Sequence, residues 1–490
     1  MNLFIKSRRV LLLIWTLGGL TACEKQLDLV PISNLTETTY YKTADDAKAA
    51  VGACYAPLPG IVDALDFLDL VTTDDGVPFL TGIADRPLLW RYNIAPNNGF
   101  ANLWTTSYSA INRTNTVIDR LPGIAMDETL KKRYIAEAKF LRAFHYFNLV
   151  RLYGDVPLVT KETTSLENLQ VERAKVDEVY ALIEADLKEA ETMLPARYTG
   201  ADVGRASKGS AKGFLAKLYL TRAGATKGSP FWAQAAAKAK EVIDLGVYDL
   251  WATYGDAFSM TNRGGKEFVF EIQFLTDVRG HGFGRGYGVR GVAGYPGGTG
   301  SGIARVTPSL FNSYTTADTR RAVNFTTSYL NGATTVTLSL LDPDPAKGIY
   351  FQKLWDRTAK TNGGEGTSFP IMRYSDILLM YAEALNETTS APTSDALAAL
   401  NRVHTRAGLP ALANLNYTQF QNAVWTERRL EFVFENQRRF DLIRTGRLID
   451  AVKAENSFAR NPTIQPFHLL MPIPQREIDA NPKLVQNQGY

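Results

Sequence analysis

Residues 127–154 read DETLKKRYIAEAKFLRAFHYFNLVRLYG. Phe140, Phe144 and Phe147 fall at i, i+4 and i+7, and Ala138, Leu141 and Ala143 widen the same stripe. That spacing predicts one long helix over 127–152 with a broad apolar face, ended by Gly154. A face of that breadth needs other helices to cover it, so the segment points to a helical scaffold.

The flanking sequence supplies them. A helix is predicted over 101–120, ended by Leu121-Pro122-Gly123. Another covers 176–193, with Val179, Leu182, Ile183 and Leu187 on one face and Pro195 just beyond the end. A third covers 207–223, opened by Ser207 and stopped by Gly224, and a fourth covers 231–245, ended by Gly246. Upstream, 36–56 is helical with Thr43 as its cap and Asp45 and Asp46 in the first turn, where acids favour the dipole. Helices return at 374–388, 393–407 and 417–437. Ala-rich helices joined by short loops pack as stacked hairpins, as in tetratricopeptide-like arrays of period near 34 residues, although no clean repeat signature is present.

Other stretches break this pattern. Residues 60–100 hold Gly60, Gly76, Pro78, Gly82, Pro87, Pro96 and Gly99 and read as loop. Residues 255–370 contain a β-leaning run, Glu267-Phe268-Val269-Phe270-Glu271-Ile272, and a Thr-rich region at 325–340. Between them, residues 279–302 hold 11 glycines with Phe283, Tyr287 and Tyr295 spaced among them, a composition that reads as a loop, lid or contact surface rather than core. The expected fold is mainly α: a tetratricopeptide-like helical-hairpin superhelix, about 35–254 and 371–461, with an irregular, partly β insertion at about 255–370 laid across it. The tail, 462–490, is expected to lie extended over the surface.

The N-terminus carries Lys6, Arg8 and Arg9, then the apolar run 10–20, then Leu20-Thr21-Ala22-Cys23. A basic head and a short apolar run make a secretory signal, too short for the ~20 residues a membrane span needs. Cys23 follows a small residue at the cut site and reads as the lipid-accepting cysteine of a lipoprotein, so residues 1–22 are the leader and 23–34 an anchored tether. Stable anchoring takes more than one acyl chain, such as palmitate. Cys54 is the other of 2 cysteines and reads as a buried small apolar residue. Without the leader's three bases the chain has 51 Lys and Arg against 50 Asp and Glu, a balance that gives no footprint for nucleic acid.

Catalytic and cofactor motifs are weak. Asp74 and Asp75 are adjacent carboxylates, a poor arrangement for glycoside hydrolysis. His145, His281, His404 and His468 lack zinc-site spacing, and no Gly-x-Ser-x-Gly elbow occurs. Gly286, Gly288 and Gly291 match a dinucleotide fingerprint in letters, but no helix can open at the residues that follow. The run 427–446, ERRLEFVFENQRRFDLIRTG, lines up Glu427, Glu431 and Glu435, which repel unless arginines from neighbouring elements reach them. It reads as a fold-locking ion network, as do Glu137 and Arg142. No metal or cofactor is expected, and no enzymatic activity.

Several segments together resemble the SusD/RagB-like outer-membrane lipoproteins. They are the lipobox ending at Cys23; Ile111-Asn112-Arg113-Thr114-Asn115; Ala136 to Phe147 continuing to Leu152-Tyr153-Gly154-Asp155-Val156-Pro157-Leu158; Met372 to Ala384; Glu427 to Gly446; and Asn481 to Tyr490. Asn436 departs from the family's usual glycine and Gln488 from its usual proline. The resemblance implies a non-catalytic lipoprotein on the outer face of the outer membrane. Such a protein caps a TonB-dependent, SusC-like β-barrel transporter and captures oligosaccharides for import. Capture of peptides by the same architecture, or a protein-interaction scaffold with no nutrient ligand, are the alternatives.

The resemblance transfers no binding residue. Sugar rings offer apolar faces and a rim of hydroxyls, which aromatic plates flanked by acids, amides and arginines match. Residues 60–104 supply Asp74, Asp75, Trp90, Asn98, Phe100 and Trp104, the last of which also suits core packing at a helix start. Residues 279–302 supply Tyr287, Arg290 and Tyr295. Two such loops meeting on one face would make a site.

Overall fold

The computed structural model describes residues 41–79, 85–97, 101–165, 169–340, 347–456 and 463–490, together with 167, 342 and 344. The leader, Cys23 and the 23–34 tether lie outside the described residues.

The Phe-rich segment forms the helix Glu128–Tyr153. Asp127 caps it by accepting from the Leu130 amide, and Gly154 ends it at φ 72°. From Tyr134 onward most of its side chains are buried, which fits a central helix with neighbours on all sides. Phe140 meets Phe214 and Phe270 edge-on at 5.3 and 5.0 Å, and Phe144 and Phe147 meet the same cluster. Such pairs add about 0.5–1.5 kcal/mol each beyond their buried area.

Helix packing then runs in sequence. Ala101–Arg120 packs on Glu128–Tyr153, which packs on Val176–Met193, then Lys208–Ala223, then Pro230–Asp244. Pro230–Asp244 next packs on Tyr374–Thr389, well over a hundred residues further on, and that helix holds Ser394–Arg406 and Tyr417–Glu431. The two helical stretches are thus spliced into one stack across the irregular region. The strands among the described residues form two-stranded antiparallel pairs. Phe268–Ile272 pairs with Phe369–Arg373, which ties the start of the irregular region to its end.

Several expectations are corrected. Residues 58–71 are not loop but the helix Leu58–Val71, ten of whose side chains are buried. Pro59 and Gly60 lie in its first turn, where a missing N–H costs nothing, so they start the helix rather than break it. The stretch Ala44–Val71 is apolar and long enough to cross a membrane by composition, yet it folds as two helices with half of its most apolar window buried. The predicted 417–437 helix stops at Glu431, because Phe434 and Asn436 adopt left-handed backbone at φ 62° and 57°. Asparagine tolerates that conformation better than most residues with a side chain, which suits Asn436 to this position. The Gly-rich stretch buries Phe283, Tyr287, Val289 and Tyr295 in the interior, contrary to its loop-like composition.

The run of arginines and acids forms a buried ion network. Arg373 reaches Glu267 and Glu431 at 2.7 and 2.6 Å and Glu435 at 2.7 Å. Arg320 holds Asp318 and Glu427 at 2.8 and 2.6 Å. Lys353 pairs with Glu435, so Glu435 does not use Arg439 at i+4. Arg142 grips Asp186 with two bonds of 2.7 and 2.8 Å and also donates to Asn115. Glu137 takes Arg205 at 2.6 Å and the Tyr55 hydroxyl at 2.8 Å.

The tail is tied in rather than draped, and it carries the helix Gln475–Ala480. The Met471 amide donates to the Leu152 carbonyl, and Asn487 Nδ2 donates to the Tyr153 and Met471 carbonyls at 2.9 and 2.8 Å. The bonds to Leu152 and Tyr153 satisfy carbonyls at the end of the central helix that have no partner within it. Asn487→Ala is expected to cost about 1–3 kcal/mol, read as a lowered urea midpoint, because it removes the side-chain donor to the Met471 carbonyl, one of two donors to the Tyr153 carbonyl and the acceptor for Arg173. An unchanged midpoint would refute this capping role.

Candidate functional site

Tyr295 sits in a tight hairpin in which Ala293–Tyr295 pairs with Gly298–Thr299. The turn demands glycine, since Gly294, Gly297 and Gly298 have φ of 100°, 69° and 146°. The ring is held from behind. The Val289 amide donates to its hydroxyl at 2.8 Å, and a Cβ on Gly288 would overlap the ring. Trp355 stacks on Tyr295 with centroids 4.4 Å apart and planes at 22°. The Arg357 guanidinium lies 3.8 Å from the indole centroid.

The loop beneath is anchored by Glu365, fully buried, which accepts from the Gly284 and Arg285 amides at 2.6 and 2.8 Å. Burial raises its carboxyl to about 7 against the pull of those two amides. His281 packs beside it with Nε2 2.8 Å from the Thr367 carbonyl, and burial lowers that imidazole to about 4, so it is neutral at physiological pH.

In front of the stacked pair lies a groove of about 490 Å³, within the ~300–1,000 Å³ range of small-molecule sites. The strands Phe325–Thr326 and Ser328–Asn331 form its opposite wall. Its rim is polar. Thr326 donates to Gln352 Oε1 at 3.0 Å, and Arg357 donates to the same atom at 3.3 Å. Thr327 and Ser328 are exposed, and the Tyr329 ring is half-buried at the edge. The Trp355 indole N–H has no acceptor among the described residues. A half-buried indole between Tyr295 and the exposed Arg357, with hydroxyl, amide and guanidinium groups around it, offers apolar surface and several hydrogen bonds to the same ligand.

Of the residues singled out from sequence, the structure places Tyr295 in this groove. Asp74 is buried and paired with Arg438 through bonds of 2.9 and 2.8 Å, and Asp75 is paired with Arg429 at 2.8 Å. Trp90 is buried, and Trp104 is buried against Tyr153 and Tyr108, both at 5.0 Å. The Tyr287 hydroxyl donates to buried Asp66 at 2.7 Å, with its ring against Phe434. Arg290 lies 3.5 Å over Phe79 and donates to the Ser301 carbonyl. Asn98 and Phe100 lie outside the described residues. The two loops do meet, since the Tyr287 hydroxyl donates to Asp66 and Arg290 lies over Phe79, but the Tyr287–Asp66 contact is in the interior. Sequence reasoning missed Trp355, Tyr329, Gln352 and Arg357. The aromatic run Tyr350-Phe351-Gln352-Lys353-Leu354-Trp355 was the available signal.

Residues 341–490 match the family model described as "SusD family", and residues 88–220 match one described as "Starch-binding associating with outer membrane". SusD-like protein P2 of Formosa agariphila is 29% identical over 98% of this chain and 98% of its own length. A SusD superfamily protein from Parabacteroides distasonis superposes with a TM-score of 0.81 at 27% identity, covering 93% of this chain and all of that one. A laminarin-binding SusD-like protein superposes with a TM-score of 0.77 at 27% identity, covering 92% of this chain and 100% of its own.

Proposed function

The chain belongs to the SusD family, and from that premise we propose that it captures an oligosaccharide in the groove floored by Tyr295 and Trp355. The observation that carries this reading is the stacked pair itself, fixed from behind and opening onto a polar rim. The relatives support a glycan, since one matching family model is described as starch-binding and one similar structure as laminarin-binding. The mechanism is binding and release with no covalent step. A capture protein must surrender its ligand, so affinity is set at roughly micromolar to millimolar, about −8 to −4 kcal/mol. Calorimetric titration with laminari- and malto-oligosaccharides and with a panel of plant and algal glycans tests it. Silence across the whole panel counts against the reading.

The finer reading places the protein on the outer membrane, held by lipid at Cys23, as the lid of a SusC-like TonB-dependent barrel. The lipobox and the family description of association with the outer membrane support it. Cys23→Ala is expected to fold and bind glycan normally but to lose incorporation of labelled palmitate and support for growth on the cognate glycan. Unimpaired growth would show that the barrel alone holds the lid.

A further inference from the structure

On the premise that the groove beside Tyr295 captures a glycan, we propose that this glycan is acidic and that Arg357 holds its carboxylate or sulfate group. The stack in the groove ends in a cation. Tyr295 lies against one face of the Trp355 indole, with centroids 4.4 Å apart, and the Arg357 guanidinium lies 3.8 Å from the indole centroid. Arg357 is exposed, whereas Tyr295 is buried and Trp355 half-buried. The stack therefore presents a planar guanidinium to a ligand rather than an open aromatic face. Contact with the indole and the bond from Nη2 to Gln352 Oε1 at 3.3 Å orient that plane. Gln352 is itself fixed, since its Nε2 donates to the Ala322 carbonyl at 2.7 Å. An oriented fork of N–H donors suits the paired oxygens of an anionic substituent.

No acid of the groove competes for it. Arg357 is the one charged residue lining the groove, and no carboxylate pairs with it among the described residues. The two acids nearest it in sequence are committed elsewhere. Asp356 is buried and accepts from Thr276 Oγ1 at 2.7 Å, from the Gly366 amide at 2.9 Å, and from the Thr358 amide and hydroxyl at 2.9 and 2.6 Å. Glu365 is buried against the Gly284 and Arg285 amides.

The wider setting has the same sign. Residues 278–341, which supply the groove residues of 292–295 and 322–330, contain six arginines and one acid, Asp318. Asp318 is held by Arg320 at 2.8 Å. The whole chain has 54 Lys and Arg against 50 Asp and Glu, so this excess is local. One of these arginines, Arg285, is tethered to the Tyr295 hairpin, its Nε donating to the Thr299 carbonyl at 3.2 Å. A concave surface with an excess of one sign concentrates ligands of the other.

Calorimetric titration of the whole protein with chain-matched probes tests this. The probes are laminari-oligosaccharides, oligogalacturonates with their methyl esters, and sulfated carrageenan oligosaccharides with their desulfated forms. An anionic probe is expected to bind tightest, to lose about tenfold in affinity when its charge is removed, and to weaken with added sodium chloride. Arg357→Gln is expected to lose the same tenfold for the charged probe and nothing for its neutral form, a coupling that a merely structural role does not produce. Whether the uronate or the sulfated probe responds tells carboxylate from sulfate ester. A neutral probe that binds tightest, or an anionic one indifferent to Arg357→Gln, overturns the proposal and leaves the groove standing. Silence from every probe overturns the groove reading as well.

Discussion

Replacing Glu431 by alanine is expected to destabilise the protein by about 3–5 kcal/mol, a large fraction of the ~5–15 kcal/mol that holds a typical domain folded. Glu431 is fully buried, and its carboxylate meets Arg373 at 2.6 Å, Arg406 at 2.5 Å and Arg320 at 3.2 Å. These arginines come from three segments: the end of the strand Phe369–Arg373, the end of the helix Ser394–Arg406 and the short helix Arg320–Asn324. One carboxylate thus pins the irregular region to the helical stack. Each arginine keeps another acid after the substitution, namely Glu267 and Glu435 for Arg373, Glu267 for Arg406, and Asp318 and Glu427 for Arg320. The substitution therefore removes the one carboxylate that all three guanidiniums share, and the cost comes from the buried N–H groups it leaves without an acceptor. Urea unfolding followed by circular dichroism measures it. A change below about 1 kcal/mol would mean that water or rearrangement repairs the gap, as at exposed pairs.

Acid acts on the same carboxylate. Burial opposes its charge, but Arg406, Arg373 and Arg320 outweigh burial and hold it well below the usual carboxylate range. Asp441 is held low in the same way by Arg428 and Arg444, and Asp74 is lowered to about 2 by Arg438 and Arg429. A carboxyl depressed in the folded state adds stability that is complete above its unfolded value, near 4, and is lost as pH falls toward the folded one. The wild-type urea midpoint is expected to fall below about pH 4, and the Glu431→Ala midpoint to fall less steeply.

The scaffold was legible because its signals are local. Phe140, Phe144 and Phe147 declare a helix within two turns, and Ser207 and Gly224 mark both ends of another. Thr43 caps its helix as the sequence indicated, with Asp46 closing the capping box. The candidate site was far less legible because its geometry is non-local. Asp74 and Asp75 look like ligand contacts until Arg429 and Arg438, more than 350 positions downstream, are seen to occupy them. Tyr295 could be picked from its setting, but Trp355 gains meaning only from a stack with a ring in a different segment. The glycines misled for a related reason. Gly284 and Gly288 do not loosen the chain but let Trp355 and Tyr295 lie against the backbone where any Cβ would collide.

Replacing Trp355 by alanine is expected to weaken glycan binding by at least about 30-fold, near 2 kcal/mol, with little change in melting. The indole is half-buried at the edge of the groove, so its removal deletes ligand-facing surface more than core. Tyr295 remains tethered through the Val289 amide, which limits collapse of the floor. Trp355→Phe retains a plate over Tyr295 and is expected to recover most of the affinity. Tyr329→Phe removes one rim hydroxyl and is expected to cost about 0.5–1.5 kcal/mol. Graded losses of this kind separate ring contact from hydrogen bonding in one site, and calorimetry with the best glycan of the panel reads them. Full affinity in a folded Trp355→Ala variant would remove the groove from the proposal. If Phe100→Ala then abolished binding, the capture surface would lie at 98–100 instead, and the Tyr295–Trp355 stack would be only the inner wall of the irregular region.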